Sequence, residues 1–71
     1  MNWNLEEAIT YYQKQGAPRD QNALIGLLKE IQQEQGSISR FDINRIMDCY
    51  SIKEGILLAL IIVIPMLKKK R

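Results

Sequence analysis

The chain contains no histidine and a single cysteine, Cys49, among its 71 residues. Without histidine there is no Ser-His-Asp or Cys-His pair for nucleophilic catalysis, and one thiol is too few for a structural zinc site or an iron–sulfur cluster. A lone cysteine also excludes an internal disulfide, which fits a reducing compartment. Only two prolines, Pro18 and Pro65, interrupt the chain, so helices are permitted nearly throughout. Its four glycines, Gly16, Gly26, Gly36 and Gly55, lie too far apart to form a phosphate-cradling loop. Internal repeats and Gly/Ser linkers are missing as well. A chain of this length makes at most one domain, and one that buries only about 60% of its unfolded surface.

Charge of either sign is modest. Ten basic and eight acidic residues give a net charge of +2, and four of the basic ones, Lys68, Lys69, Lys70 and Arg71, stand together. The remaining six basic residues against eight acids leave the body at −2. Residues 68–71 are expected to form a frayed, solvated tail, with anionic lipid or nucleic acid as the alternative contact. With 46% hydrophobic and 25% charged residues, the composition is that of an ordinary globular chain. The opening MNWNLEEAIT carries acids where a secretory signal carries basic residues and then an apolar run. A mature, cytoplasmic protein is therefore expected.

What is present is helical patterning. Asn4 followed by Glu7 has the spacing of a helix start, and Leu5, Ala8, Ile9 and Tyr12 then share one face. Gly16, Ala17 and Pro18 end that helix and form the one plausible hinge, about which residues 1–15 would make a looser N-terminal helix. Asp20 caps a second helix, whose Leu24, Ile25, Leu27, Leu28 and Ile31 form an apolar stripe, and Gly36 stops it. A third helix begins after Ser39, with Ile43, Ile46, Met47 and Tyr50 facing the core. Ser51 with Glu54 has capping-box spacing and predicts a fourth helix from about Ile52 until Pro65. The connections are short, so neighbouring helices must pack on one another. The expected fold is all-α: residues 1–71 form a single helical domain, a compact bundle of about four short helices with the apolar fourth helix central.

Thirteen residues without a charge, Gly55 to Leu67, run directly into the basic tail. A membrane span needs about 20 apolar residues, so a buried core helix is the better expectation. Three short helices cannot readily cover it all round, and an uncovered apolar patch marks a contact with a partner protein or a second copy in a homodimer. The helices flanking Ser51 also have the outline of a helix-turn-helix, which makes nucleic-acid binding the alternative function. The second of them offers only Lys53 and Glu54 before Ile56, Leu57 and Leu58, a poor set for reading base edges.

The carboxylates Glu6, Glu7, Glu30, Glu34, Asp42 and Asp48 are expected on polar faces or caps, with Glu30 and Glu34 adjacent on a solvated face. Cys49, beside Met47 and Tyr50, is expected at a packed boundary. Trp3, Tyr11 and Tyr12 form an aromatic lid over the bundle, or a docking surface in which Tyr11, pointing away from Leu5 and Ile9, is the exposed member. No catalytic, cofactor-binding or metal-ligating residue is nominated. Tyr11, Ile62 and Met66 are the expected partner contacts.

From about Asn22 to Leu60 the segments NALIGLLKEIQQEQGSIS and DINRIMDCYSIKEGILLALI resemble the N-terminal helical part of a known family. That family is the thioredoxin-like 2Fe-2S ferredoxin subunit of NADH:quinone oxidoreductase (NADH dehydrogenase) and NAD(P)-linked hydrogenases. Leu28, Ile31, Gln32, Gly36, Ile38, Ile43, Ile46 and Ile52 occupy matching positions. The resemblance implies a helical protein–protein docking module that, on its own, is not an enzyme. Its partner would be a flavin- and NADH-binding oxidoreductase subunit. The 2Fe-2S cluster of the family belongs to a C-terminal domain that this sequence lacks, so no cofactor is implied on this chain. After Ser51-Ile52-Lys53-Glu54 the family commonly has a glycine and aromatic residues, whereas here Gly55 is followed by aliphatics.

Overall fold

The first three helix starts in this protein are set by side chains that satisfy otherwise unpaired backbone N–H groups. The computed structural model describes residues 3–63. Asn4 accepts from the Glu7 backbone N–H at 3.2 Å and opens α1 (Leu5–Lys14). Asp20 accepts from the N–H groups of Asn22 and Ala23 and opens α2 (Gln21–Gln35). Ser39 opens α3 (Arg40–Tyr50) with a reciprocal capping box: its hydroxyl accepts from the Asp42 N–H at 3.2 Å, and its own N–H donates to the Asp42 carboxylate at 2.9 Å. Asp42 is almost fully buried, yet the Ser39 hydroxyl also donates to it. The fourth helix, α4, spans Glu54–Val63.

Helix ends follow backbone conformation. Gly36 adopts φ 85°, a left-handed geometry that costs a residue without a side chain little, and its N–H closes α2 on the Gln32 carbonyl at 2.7 Å. Ser51 ends α3 in the same way at φ 56°, donating to the Met47 carbonyl at 2.8 Å. This corrects the expected capping box at Ser51 and Glu54. A helix-opening residue needs extended backbone, whereas Ser51 is left-handed and already committed to closing the preceding helix. The fourth helix accordingly starts at Glu54 rather than near Ile52, and the Glu54 carboxylate turns to Arg40 at the start of α3 instead.

All four helices contribute to one core, in agreement with the all-α expectation. Leu5, Ala8 and Ile9 from α1 meet Leu27, Leu28 and Ile31 from α2, Ile43, Ile46 and Tyr50 from α3, and Leu57 and Leu60 from α4. Ile38, in the turn before α3, is fully buried among them. The Cα radius of gyration, 10.9 Å, matches the roughly 11 Å of a compact domain of this length. Within α4 the core takes Leu57, Leu60 and Ile61, while Ile56 and Ile62 point outward at 49% and 80% exposure. The described turns of α4 are therefore one-sided, because the other helices cover only the Leu57–Leu60–Ile61 side. Pro65, Met66 and the basic run 68–71 lie outside the described residues.

Candidate functional site

The outer surface of α1 is built from two sets of anchors, with the exposed Tyr11 between them. On one flank, the Tyr12 ring lies so close to α2 that a side-chain carbon at Gly26 would sit 2.9 Å from its Cε1. That close approach accounts for a glycine in the middle of α2. Beyond Gly26, the Tyr12 hydroxyl donates to Glu30 Oε1 at 2.9 Å, and the Trp3 indole N–H donates to Glu30 Oε2, also at 2.9 Å. Glu30 is consequently half-buried with both oxygens engaged, which corrects the expectation that it shares a solvated face with Glu34. Rings packed over that face bring donors that need acceptors once water is displaced. Burial, reinforced by the Glu30 carboxylate, pushes the Tyr12 hydroxyl up to about 12.

On the other flank, Arg45 of α3 forks onto Glu6, with Nε to Oε2 at 2.8 Å and Nη2 to Oε1 at 2.9 Å. The guanidinium holds the Glu6 carboxyl below its ordinary range, and the carboxylate in turn raises Arg45. Cys49 is half-buried beside this pair, donating weakly to Glu6 at 3.9 Å and accepting from Arg45 at 3.7 Å. This is the boundary position expected of it. Deeper in, the Tyr50 hydroxyl donates to the Ile9 carbonyl at 2.6 Å, and burial pushes Tyr50 up to about 12.

Between these flanks Tyr11 faces outward at 55% exposure, its ring edge-on to Tyr12 with centroids 5.0 Å apart. Two open grooves meet at it. One, of about 450 Å³, includes Trp3, Asn4, Glu30 and Glu34. The other, of about 360 Å³, includes Glu6, Thr10 and Lys14. Tyr11 and Glu7 line both. Open grooves with an amphipathic ring, carboxylates and a lysine suit contact with another molecule's surface better than an enclosed reaction, which requires water to be excluded.

No protein-family model, curated protein or solved structure matches the chain. Of the expected contact residues, Tyr11 lies at the grooves, Ile62 lies exposed on α4 and lines neither groove, and Met66 is outside the described residues. Among the described residues no group of acids and cysteine is placed to hold a metal ion, and no helix is long and apolar enough to cross a membrane.

One residue, Glu30, is missed by pattern alone. Charge places Glu30 in solvent, and the signal to the contrary is Gly26, one helical turn earlier on the same side, marking where another element comes close. Phe41 is 65% exposed at the start of α3. It lies two positions from Ile43, roughly opposite the core face at 100° per residue.

Proposed function

We propose that this chain is a non-catalytic docking module that holds together an NAD-linked electron-transfer assembly, with Tyr11 at the centre of its contact surface. The observation that carries this is the exposure of Tyr11 between two open grooves on a helix pinned at both flanks. A tyrosine offers a large, rigid, amphipathic surface with few rotatable bonds, and such residues are enriched among those that dominate binding energy. Anchoring α1 through Glu30, Arg45 and Tyr50 spares the partner the ordering cost of a loose helix.

The class of partner comes from the resemblance of Asn22–Leu60 to the helical part of the 2Fe-2S subunit family. On that basis the partner is a flavin- and NADH-binding oxidoreductase subunit in a reducing cytoplasm. The cluster itself would sit on a separate domain.

The test is a calorimetric titration of the 71-residue chain with the purified flavin- and NADH-binding subunit from the same organism. Saturable binding is expected, weakened about tenfold or more by Tyr11→Ala at an unchanged melting temperature. No association at the highest soluble concentration, or association indifferent to Tyr11, would remove the proposal.

A further inference from the structure

We infer that the groove between α1 and α2 takes an arginine or lysine side chain of the partner, seating the cation against the Trp3 and Tyr11 rings and between the Glu7 and Glu34 carboxylates; this rests on the reading of the Tyr11 surface as a protein contact. Glu7 and Tyr11 stand one turn apart on the same side of α1, and both line the groove of about 450 Å³ together with Trp3 and Glu30. Glu34, one turn beyond Glu30 on α2, lines it from the other side.

Charge in this groove is of one sign. Its lining holds three carboxylates, Glu7, Glu30 and Glu34, and no lysine or arginine. Glu30 is satisfied by the Trp3 indole and the Tyr12 hydroxyl, whereas the Glu7 and Glu34 carboxylates are exposed and make no hydrogen bond or ion pair among the described residues. The neighbouring groove lacks this selectivity, because it contains Lys14 and its Glu6 is already taken by Arg45.

Acids alone would not distinguish the place from any solvated face, since an exposed ion pair contributes little. The rings do. Trp3 is half-buried with its N–H fixed on Glu30, and Tyr11 stands edge-on to Tyr12 with centroids 5.0 Å apart, so both rings are ordered before anything binds. A ring face attracts a cation through its quadrupole, indole most strongly, and a flanking carboxylate acts on the same charge. The occupant selected is a cationic head on an apolar stem. Arginine fits best, because its planar guanidinium stacks on a ring while forking onto a carboxylate. An acidic segment meets three like charges, and an aliphatic one leaves them unpaired.

The experiment is a titration of the 71-residue chain with a capped peptide of alternating glycine and arginine, read by the emission of Trp3, the only tryptophan. The control peptide carries neutral citrulline in place of arginine. A saturable change is expected with the arginine peptide only, weakening as salt rises. Joint Glu7→Gln and Glu34→Gln replacement should weaken binding about fivefold or more. Both positions are exposed, so this variant keeps the fold, and circular dichroism verifies that. Asp48→Asn, on α3 outside the groove, should change nothing. The inference is overturned by no saturable change up to about 10 mM peptide, by an equal change with citrulline, or by undiminished binding in the double variant. A concentration-dependent dimer in sedimentation that the double variant dissolves also overturns it, because the groove then receives a second copy. Titration with the flavin- and NADH-binding subunit separates the two readings. Binding that depends on Tyr11 but not on the two carboxylates overturns this inference and leaves the docking role, whereas peptide binding as expected without association of that subunit supports it and removes only that partner.

Discussion

The Tyr50 hydroxyl of α3 donates to the Ile9 carbonyl of α1 at 2.6 Å, joining residues 41 positions apart inside the core. Neither helix can shift along the other without breaking that bond. Tyr50→Phe keeps the ring and removes only the donor, so it should cost about 1 kcal/mol. For a domain of this size that lowers the thermal midpoint by about 4–8 °C, read by circular dichroism. An unchanged midpoint would show that the bond contributes nothing net.

Glu30 receives both the Trp3 indole and the Tyr12 hydroxyl. Glu30→Ala leaves two donors without their acceptor and should destabilise by about 1–3 kcal/mol. Trp3 is the only tryptophan, so its fluorescence reports the site directly. Emission should move to longer wavelength as the indole gains water, and Glu30→Gln, which retains one acceptor oxygen, should move it less. Identical spectra for wild type and Glu30→Ala would contradict the arrangement.

Alkaline pH should loosen the bundle in a defined window. Tyr12 and Tyr50 are both raised from 10 to about 12, chiefly by burial, so the folded state retains their protons more strongly than the unfolded chain does. Their contribution is complete below about pH 10, declines as pH rises toward 12, and is gone above it. Thermal midpoints measured from about pH 8 to 12 should stay level and then fall. Tyr50→Phe should show a shallower decline than wild type.

The position of α4 predicts opposite outcomes for its two sides. Leu57 is fully buried, as is Leu28 of α2, so Leu57→Ala and Leu28→Ala should each cost on the order of 2–5 kcal/mol, close to complete unfolding of so small a domain. Ile62→Ala should change stability by no more than about 0.5 kcal/mol. Urea titration distinguishes them, and equal losses would mean that the outer side is covered.

Where local chemistry decides the structure, the sequence is easily read. Asn4, Asp20, Ser39 and Gly36 act at the positions their side chains or lack of one demand, and the apolar spacing of α1 to α3 selects the buried residues. Ser51 misleads because its spacing to Glu54 is compatible with a cap, while the decisive fact is the left-handed backbone imposed by ending α3. The contacts that build the candidate surface are long-range: Trp3 and Tyr12 with Glu30, and Arg45 with Glu6. Periodicity says which side of a helix is apolar and not which neighbour crosses it, so those pairings are legible only in three dimensions. Tyr11 is the exception, since its offset from Leu5 and Ile9 already places it outward.

The most direct measurement is a nuclear magnetic resonance titration of the isotopically labelled chain with the flavin- and NADH-binding subunit. Backbone signals of Glu7, Tyr11 and Lys14 should shift or broaden on addition of that subunit, while those of Arg40 and Lys53 stay in place. A spectrum that does not respond, or one that responds only away from α1, would contradict a docking role for the Tyr11 surface.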